Sequence, residues 1–210
     1  MSGAPAVLAT YGPVDPTAPT VVLLHGRGSN EGEIIELATH LPAGLHYVAL
    51  RAPIVEGSGY AWFANRGIGR PLAESLAESL AWFDAWCQDY AGTSRRVVVG
   101  FSGGAAFAGA LVLSQPERYD AAAVLYGTLP FDAGLATSAH RLDGVEVLVI
   151  HGERDQVIPR DLLDRTWSYL HNESGATLRA RQSPGGHEIA ADDVVVLSDW
   201  LTSLVEARRS

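Results

Sequence analysis

Apolar residues along the chain fall into runs of two alternating kinds. "TVVLLHG" at 20–26, "HYVALRAP" at 46–53, "RRVVVGF" at 95–101, "AAAVLYG" at 121–127 and "VEVLVIHG" at 145–152 are near-continuous in apolar side chains and end in turn residues. A strand that is apolar on both faces belongs to a parallel sheet covered by helices on either side. A sixth run, "ATLRARQ" at 176–182, alternates instead and predicts a strand at the sheet's edge.

Between these runs the apolar positions recur at helical spacing. Residues 30–41 carry Ile34, Leu37, Ala38 and Leu41, with Asn30 as the cap and Glu33 three positions on. Residues 71–90 open with Pro71 and place Leu72, Leu76, Leu80, Phe83 and Cys87 along one stripe. "GGAAFAGALVLSQ" reads as a helix of small residues packed closely on the sheet. Residues 159–171 open with Pro159 and repeat Leu162, Leu163, Thr166, Trp167 and Leu170, and the last helix, 189–207, carries Val194, Leu197, Leu201, Leu204 and Val205. Strands alternating with helices imply right-handed crossovers and an open, three-layer α/β architecture. Ligands in such sheets bind beyond the carboxyl ends of the strands.

The chain's 210 residues, with no linker-like composition shift and no repeat, predict a single domain over 1–210. A net charge of −9, with no basic run longer than Arg95-Arg96 and Arg208-Arg209, argues against nucleic acid or an anionic membrane surface as partner. No stretch approaches the roughly 18 to 20 apolar residues of a membrane span, so no membrane insertion is expected. The start, "MSGAPAVLATYG", lacks the pattern of a secretory signal. A single cysteine, Cys87, excludes an internal disulfide and fits a reducing, cytoplasmic setting. Inside a helical pattern beside Trp86, Cys87 reads as a small buried hydrophobe.

The candidate chemistry lies at the strand ends. Gly100-Phe101-Ser102-Gly103-Gly104 matches G-x-S-x-G between a strand and a helix. Two readings meet there: a Gly-rich turn whose serine caps the helix, or a turn sharp enough to display a nucleophilic hydroxyl. A serine hydroxyl needs a base, normally a histidine oriented by a carboxylate, and with this elbow the acid and then the histidine follow the serine in chain order. Of the histidines after Ser102, His140 sits in a polar connection, His151 ends an apolar strand, and His171 ends a helix, where a cation complements the last carbonyls. His187, in "SPGGHEI", stands on a glycine-flexible loop between the last strand and the last helix and is the candidate base. "HGERDQVIP" at 151–159 offers Asp155 at the loop's crest, with Glu153 as the other carboxylate within reach. Asp192 and Asp193 lie in a helix's first turn, where acids are routine.

A tetrahedral intermediate also needs two aimed N–H donors, each worth roughly 3 kcal/mol by mutagenesis in a comparable protease. The amide of Gly103 is one candidate. The amide of Arg27, in "LLHGRGSN" at 23–30, is the other. The Arg27 guanidinium either meets an anionic substrate group or pairs with a neighbouring acid such as Glu31.

Assembled, these pieces resemble the α/β-hydrolase superfamily, most closely its phospholipase/carboxylesterase branch, which includes acyl-protein thioesterases. L-H-G-R-G, R-A-P at 51–53, A-W-F at 61–63, G-F-S-G-G, H-G-E-R-D-Q-V-I-P and G-G-H carry the resemblance, in the family's order, over about residues 20 to 205. It implies a three-layer α/β-hydrolase fold with a mostly parallel central sheet and helices on both faces. By position it implies a triad of Ser102, Asp155 and His187, with the amides of Gly103 and Arg27 as oxyanion hole. Two departures stand out. Gly103 replaces the Gln that usually follows the serine, and Asn65 does not restore the acid often found directly after A-W-F.

The short connection over 128–144 leaves no room for a large cap domain. The irregular stretch "PIVEGSGYAWFANRGIGR" at 53–70 has the length of a functional loop. Its Trp62 and Phe63 either wall a substrate pocket or anchor the loop in the core, and Leu129 and Val157 are further candidates for apolar lining. The expected activity is that of a serine carboxylesterase acting on short- to medium-chain esters through an acyl-enzyme on Ser102. Acyl thioesterase or lysophospholipase chemistry is the alternative within the branch, and a non-hydrolytic small-ligand binder is the reading from another class. No metal site and no cofactor are expected, the partner is a small-molecule ester, and the chain is expected to be a monomer or homodimer.

Overall fold

A computed structural model describes residues 6–15, 17–90 and 96–207. The chain opens with β1 (Leu8–Tyr11) and β2 (Thr20–Leu24), then α1 (Glu31–Ile34), which tightens into a 3-10 turn over Ile35–His40. β3 (His46–Leu50) precedes two short hairpins, β4 (Ile54–Glu56) with β5 (Gly59–Ala61), and β6 (Asn65–Gly67) with β7 (Arg70–Pro71). Then follow α2 (Ala73–Asp89), β8 (Arg96–Phe101), α3 (Gly103–Ser114) and β9 (Ala121–Leu125). β10 (Glu146–Gly152), α4 (Arg160–Asn172), β11 (Thr177–Ser183) and α5 (Ala191–Glu206) complete the chain.

Among the described residues the main sheet has seven strands in the order β1-β3-β2-β8-β9-β10-β11. All neighbours run parallel except β1, which pairs antiparallel with β3. The predicted strand over 95–101 appears as β8, with Arg95, like the pair Arg208-Arg209, outside the described residues. The alternating run is the edge strand β11, as its pattern predicts.

The continuous apolar strands divide their side chains between two cores. Val22, Leu24, Val48, Leu50, Val98 and Val149 face α2, α3 and α4. Val21, Leu23, Tyr47, Ala49, Val97 and Ile150 face the 3-10 turn and α5. Both faces are therefore covered, which is the three-layer α/β-hydrolase arrangement. Fully buried residues such as Phe107 and Leu111 on α3 each contribute about 2 kcal/mol of burial.

The helix predicted over 30–41 is α-helical only to Ile34. Asn30 caps it as expected, its Oδ1 accepting from Glu33 N at 3.1 Å. Gly32 and the β-branched Ile34 and Ile35 weaken α-helix there, and Pro42 ends it. The connection over 126–145 contains turns alone and no inserted helix, so nothing caps the sheet's carboxyl edge from that side. Among the described residues no helix is long and apolar enough to cross a membrane.

Candidate active site

One residue, Ser102, separates β8 from α3, with φ 53° and ψ −112°. A non-glycine residue at positive φ costs about 1–3 kcal/mol and persists only where its surroundings enforce it. The surroundings are two glycines in van der Waals contact. A Cβ on Gly100 would fall 2.1 Å from Gly104 O, and one on Gly104 would fall 2.1 Å from Leu24 O. Ser102 makes no side-chain capping bond to α3. Its Oγ lies 2.8 Å from His187 Nε2, so of the two readings of this serine the cap is excluded.

His187 Nδ1 donates to Asp155 Oδ2 at 2.8 Å, which leaves Nε2 free to accept the Ser102 proton. The Asp155 carboxylate is wholly buried, and its other oxygen accepts from Val157 N at 2.8 Å and Ile158 N at 3.1 Å. These bonds fix the carboxylate before it meets the imidazole. The two loops that carry the pair are themselves joined, with Glu153 N donating to Ser183 O and Arg154 N to Gly185 O. A Cβ on Gly152 would lie 2.1 Å from Gly186 O, so the close approach of the loops requires glycine. Glu153, the other candidate carboxylate, is exposed.

The remaining late histidines lie elsewhere. His140 Nδ1 faces Asp143 on the surface, and His171 Nδ1 binds Trp167 O at 2.8 Å in the last turn of α4. His151 is buried against the edge of Trp167, and burial holds its pKa below the ordinary histidine value.

The loop over 26–30 runs beside the start of α3. A Cβ on Gly103 would sit 3.2 Å from Arg27 N, which puts the two backbones side by side at the serine. Among the described residues neither the Arg27 amide nor the Gly103 amide has a protein acceptor. Hairpin β4–β5 braces the loop, Gly28 N donating to Tyr60 O and Tyr60 N to Ser29 O. The Arg27 guanidinium pairs with Glu56 on that hairpin and donates to Phe63 O at 3.0 Å. The expectation that Glu31 would be its partner is corrected: Glu31 is taken by Arg51, whose Nε donates to it at 2.8 Å. Beneath the loop, His25 donates from Nδ1 to Gly26 O and accepts Ala52 N at Nε2, a neutral role. Burial keeps its pKa below the ordinary value, in keeping with that role.

A cleft of about 530 Å³ opens over Ser102, walled by Arg27, Phe63, Ile68, Val157, Ile158 and His187. Of the four predicted lining residues, Phe63 and Val157 are in its wall. Trp62 and Leu129 are corrected. Trp62 is 1% exposed, stacked on Phe107 at 4.7 Å and hydrogen-bonded to His25 O, so it anchors its loop in the core. Leu129 is equally buried, its Cδ2 filling the space beside Gly109 of α3.

A hub that the sequence disguised stands behind His187. Asp193, which reads as a routine first-turn acid, is 1% exposed. It accepts from Arg181 Nε at 2.8 Å, Ser183 Oγ at 3.1 Å, Ala190 N at 3.0 Å and the Tyr126 hydroxyl. The Tyr126 ring stands edge-on to the His187 imidazole, 6.3 Å between centroids. The one signal in the sequence was Arg181 and Ser183 on the same face of β11, a charge and a hydroxyl needing a partner. Among the described residues no group of three or more His, Cys, Asp or Glu side chains is arranged to hold a metal ion.

A family model described as Phospholipase/Carboxylesterase matches residues 6–205. The chain is 22% identical over 185 residues to MhqD of Bacillus subtilis (strain 168), covering 86% of this chain and 90% of that protein. Among solved structures it resembles the Bacillus cereus carboxylesterase, with a TM-score of 0.84 and 20% identity over 95% of this chain and 94% of that one. It also resembles a carboxylesterase from Mesorhizobium loti, with a TM-score of 0.78 and 25% identity over 90% of each chain.

Proposed function

The chain belongs to the phospholipase/carboxylesterase family and is a serine hydrolase of carboxylesterase type; from that premise we propose that it hydrolyses short- to medium-chain carboxylic esters through an acyl-enzyme on Ser102. The observation that carries this reading is the unbroken hydrogen-bond chain from Asp155 through His187 to Ser102.

In the proposed mechanism Ser102 Oγ attacks the ester carbonyl while His187 Nε2 takes its proton. Asp155 keeps the imidazole's other N–H occupied and stabilises the cation that forms. The negative charge that develops on the carbonyl oxygen meets the amides of Arg27 and Gly103, at the N-terminus of α3 where the helix dipole adds to them. His187 returns the proton to the departing alcohol. Water, deprotonated by the same imidazole, then releases the acid. The volume of the cleft and its apolar wall of Phe63, Ile68 and Val157 suit a modest acyl or alkyl chain.

The test is turnover of p-nitrophenyl acetate, butyrate and octanoate and of matched thioesters by wild type and Ser102→Ala. The reading expects ester turnover that falls by about 10⁴-fold or more in the variant. Equal rates in the two proteins would overturn the nucleophile. A rate on thioesters far above that on esters would overturn the substrate class.

A further inference from the structure

Among the described residues three that are not glycine hold a positive φ: Ser102, Tyr126 and His140. Ser102 forms the sharp turn into α3. His140 is exposed, and histidine enters the left-handed region more readily than most residues. Tyr126, at φ 53°, is bulky and fully buried, and its conformation costs about 1–3 kcal/mol that the surroundings must offset.

That conformation decides which face the side chain takes. Along β9, Ala122 and Val124 pack on the side of α2, α3 and α4, and Ala121, Ala123 and Leu125 on the side of α5. Strand alternation would send residue 126 to the first side. Tyr126 lies instead with Leu125 on the α5 side, where Asp193 fastens the loop that carries His187. Its hydroxyl donates to Asp193, and burial and that carboxylate push its pKa up to about 12, so it stays a donor. Its ring stands at 87° to the His187 imidazole, 6.3 Å between centroids. Phe101 closes the group, 6.1 Å from the Tyr126 ring and 5.3 Å from the imidazole.

The backbone around Tyr126 reaches the nucleophile as well. Ser102 N donates to Leu125 O at 2.9 Å, and Tyr126 N donates to Ile150 O at 2.7 Å. A Cβ on Gly127 would fall 2.7 Å from Ser102 O, so the main chain after Tyr126 runs against the serine's own backbone. Residues 125–127 therefore meet Ser102 through their main chain and His187 through the Tyr126 ring.

We infer that Tyr126 is a positioning residue for the proposed hydrolysis, its left-handed turn setting the reach of the His187 imidazole to the Ser102 hydroxyl. The inference rests on the reading of Ser102 as nucleophile and His187 as base. Tyr126 is buried behind His187 and does not line the cleft, so its loss acts on kcat and spares KM.

The test compares Tyr126→Phe, which keeps the ring, with Tyr126→Leu and Tyr126→Met, which fill much of its space without a flat edge. Turnover of p-nitrophenyl butyrate is measured well below each variant's melting temperature. The Leu and Met variants are expected to lose about ten-fold in kcat with KM within about two-fold of wild type, since a misplacement of about 1 Å can cost about 10²-fold. Tyr126→Phe is expected to keep at least about half of the wild-type kcat, although it melts lower. Wild-type kcat in a folded Leu or Met variant would overturn the positioning role and leave the esterase reading standing. So would a change confined to KM, or a loss in Tyr126→Phe equal to that in Tyr126→Leu. Failure of both ringless variants to fold would make the ring a core element alone and overturn the role too. No turnover by wild type above the Ser102→Ala control would overturn the esterase reading itself, and the positioning role with it.

Discussion

Ser102 can adopt its positive φ only because Gly100 and Gly104 let strand, serine and helix pass within contact distance. Gly103 is different. Its missing side chain leaves clearance at the Arg27 amide, 3.2 Å from where a Cβ would sit. That spacing is tight enough to displace the amide by a few tenths of an ångström and loose enough to leave the fold intact. Gly103→Ala is therefore expected to keep wild-type stability and lower kcat on p-nitrophenyl esters by about ten-fold, a fraction of the 10²–10³ lost when an oxyanion donor is removed outright. Unchanged kcat would mean that the Arg27 amide takes no part. Ser102, Asp155 and His187 were legible in the sequence because each is a chemistry-bearing residue in the loop after a predicted strand. Local sequence does not say which of two sides an aromatic or a leucine will face, so it leaves Trp62 open between pocket wall and core anchor and points Leu129 to the pocket. The stacking on Phe107 and the small side of α3 decided that.

At the scale of elements, the loop carrying His187 is fastened at both ends by one carboxylate. Asp193 binds Arg181 and Ser183 at the end of β11 and the Ala190 amide where α5 begins. Removing it would leave the Tyr126 and Ser183 hydroxyls without this acceptor. Asp193→Ala should lower unfolding stability by about 2 kcal/mol or more, because it strands the buried Tyr126 and Ser183 hydroxyls, whereas Tyr126→Phe should lower it by about 1 kcal/mol. Urea denaturation measures both, and equal effects would contradict the hub. The long helices and buried strands could be read from periodicity. Strand β1, mostly exposed and short, could not, since its pairing with β3 is non-local. The stretch 53–70 has no periodicity that marks its short hairpins, whose turn signals are Gly57 and Gly69, both at positive φ.

Across the whole molecule, buried titratable groups tie stability to pH. Burial holds His25 and His151 below the ordinary histidine value of 6.5. The unfolded chain takes up those protons where the folded one resists, so their contribution is complete above pH 6.5 and declines as pH falls below it. For Asp193, burial works to raise the pKa but is outweighed by hydrogen bonds from Tyr126, Arg181, Ala190 and Ser183, which leave it below 3.8. Its contribution is present above that value and is lost as pH falls further. Urea midpoints should accordingly hold level down to about pH 7, begin to decline below about 6.5, and decline more steeply below about 4. A midpoint that rises on acidification would contradict these assignments.

The same carboxyl edge of the sheet gathers Ser102, the Asp155 loop, the His187 loop and the Arg27 turn, and the proposed mechanism requires that this convergence activate one serine. Fluorophosphonate labelling followed by mass spectrometry measures that directly. One equivalent of label on the peptide containing Ser102, and none on Ser102→Ala, is the predicted result. Labelling of Ser102→Ala to the same extent as wild type would contradict it.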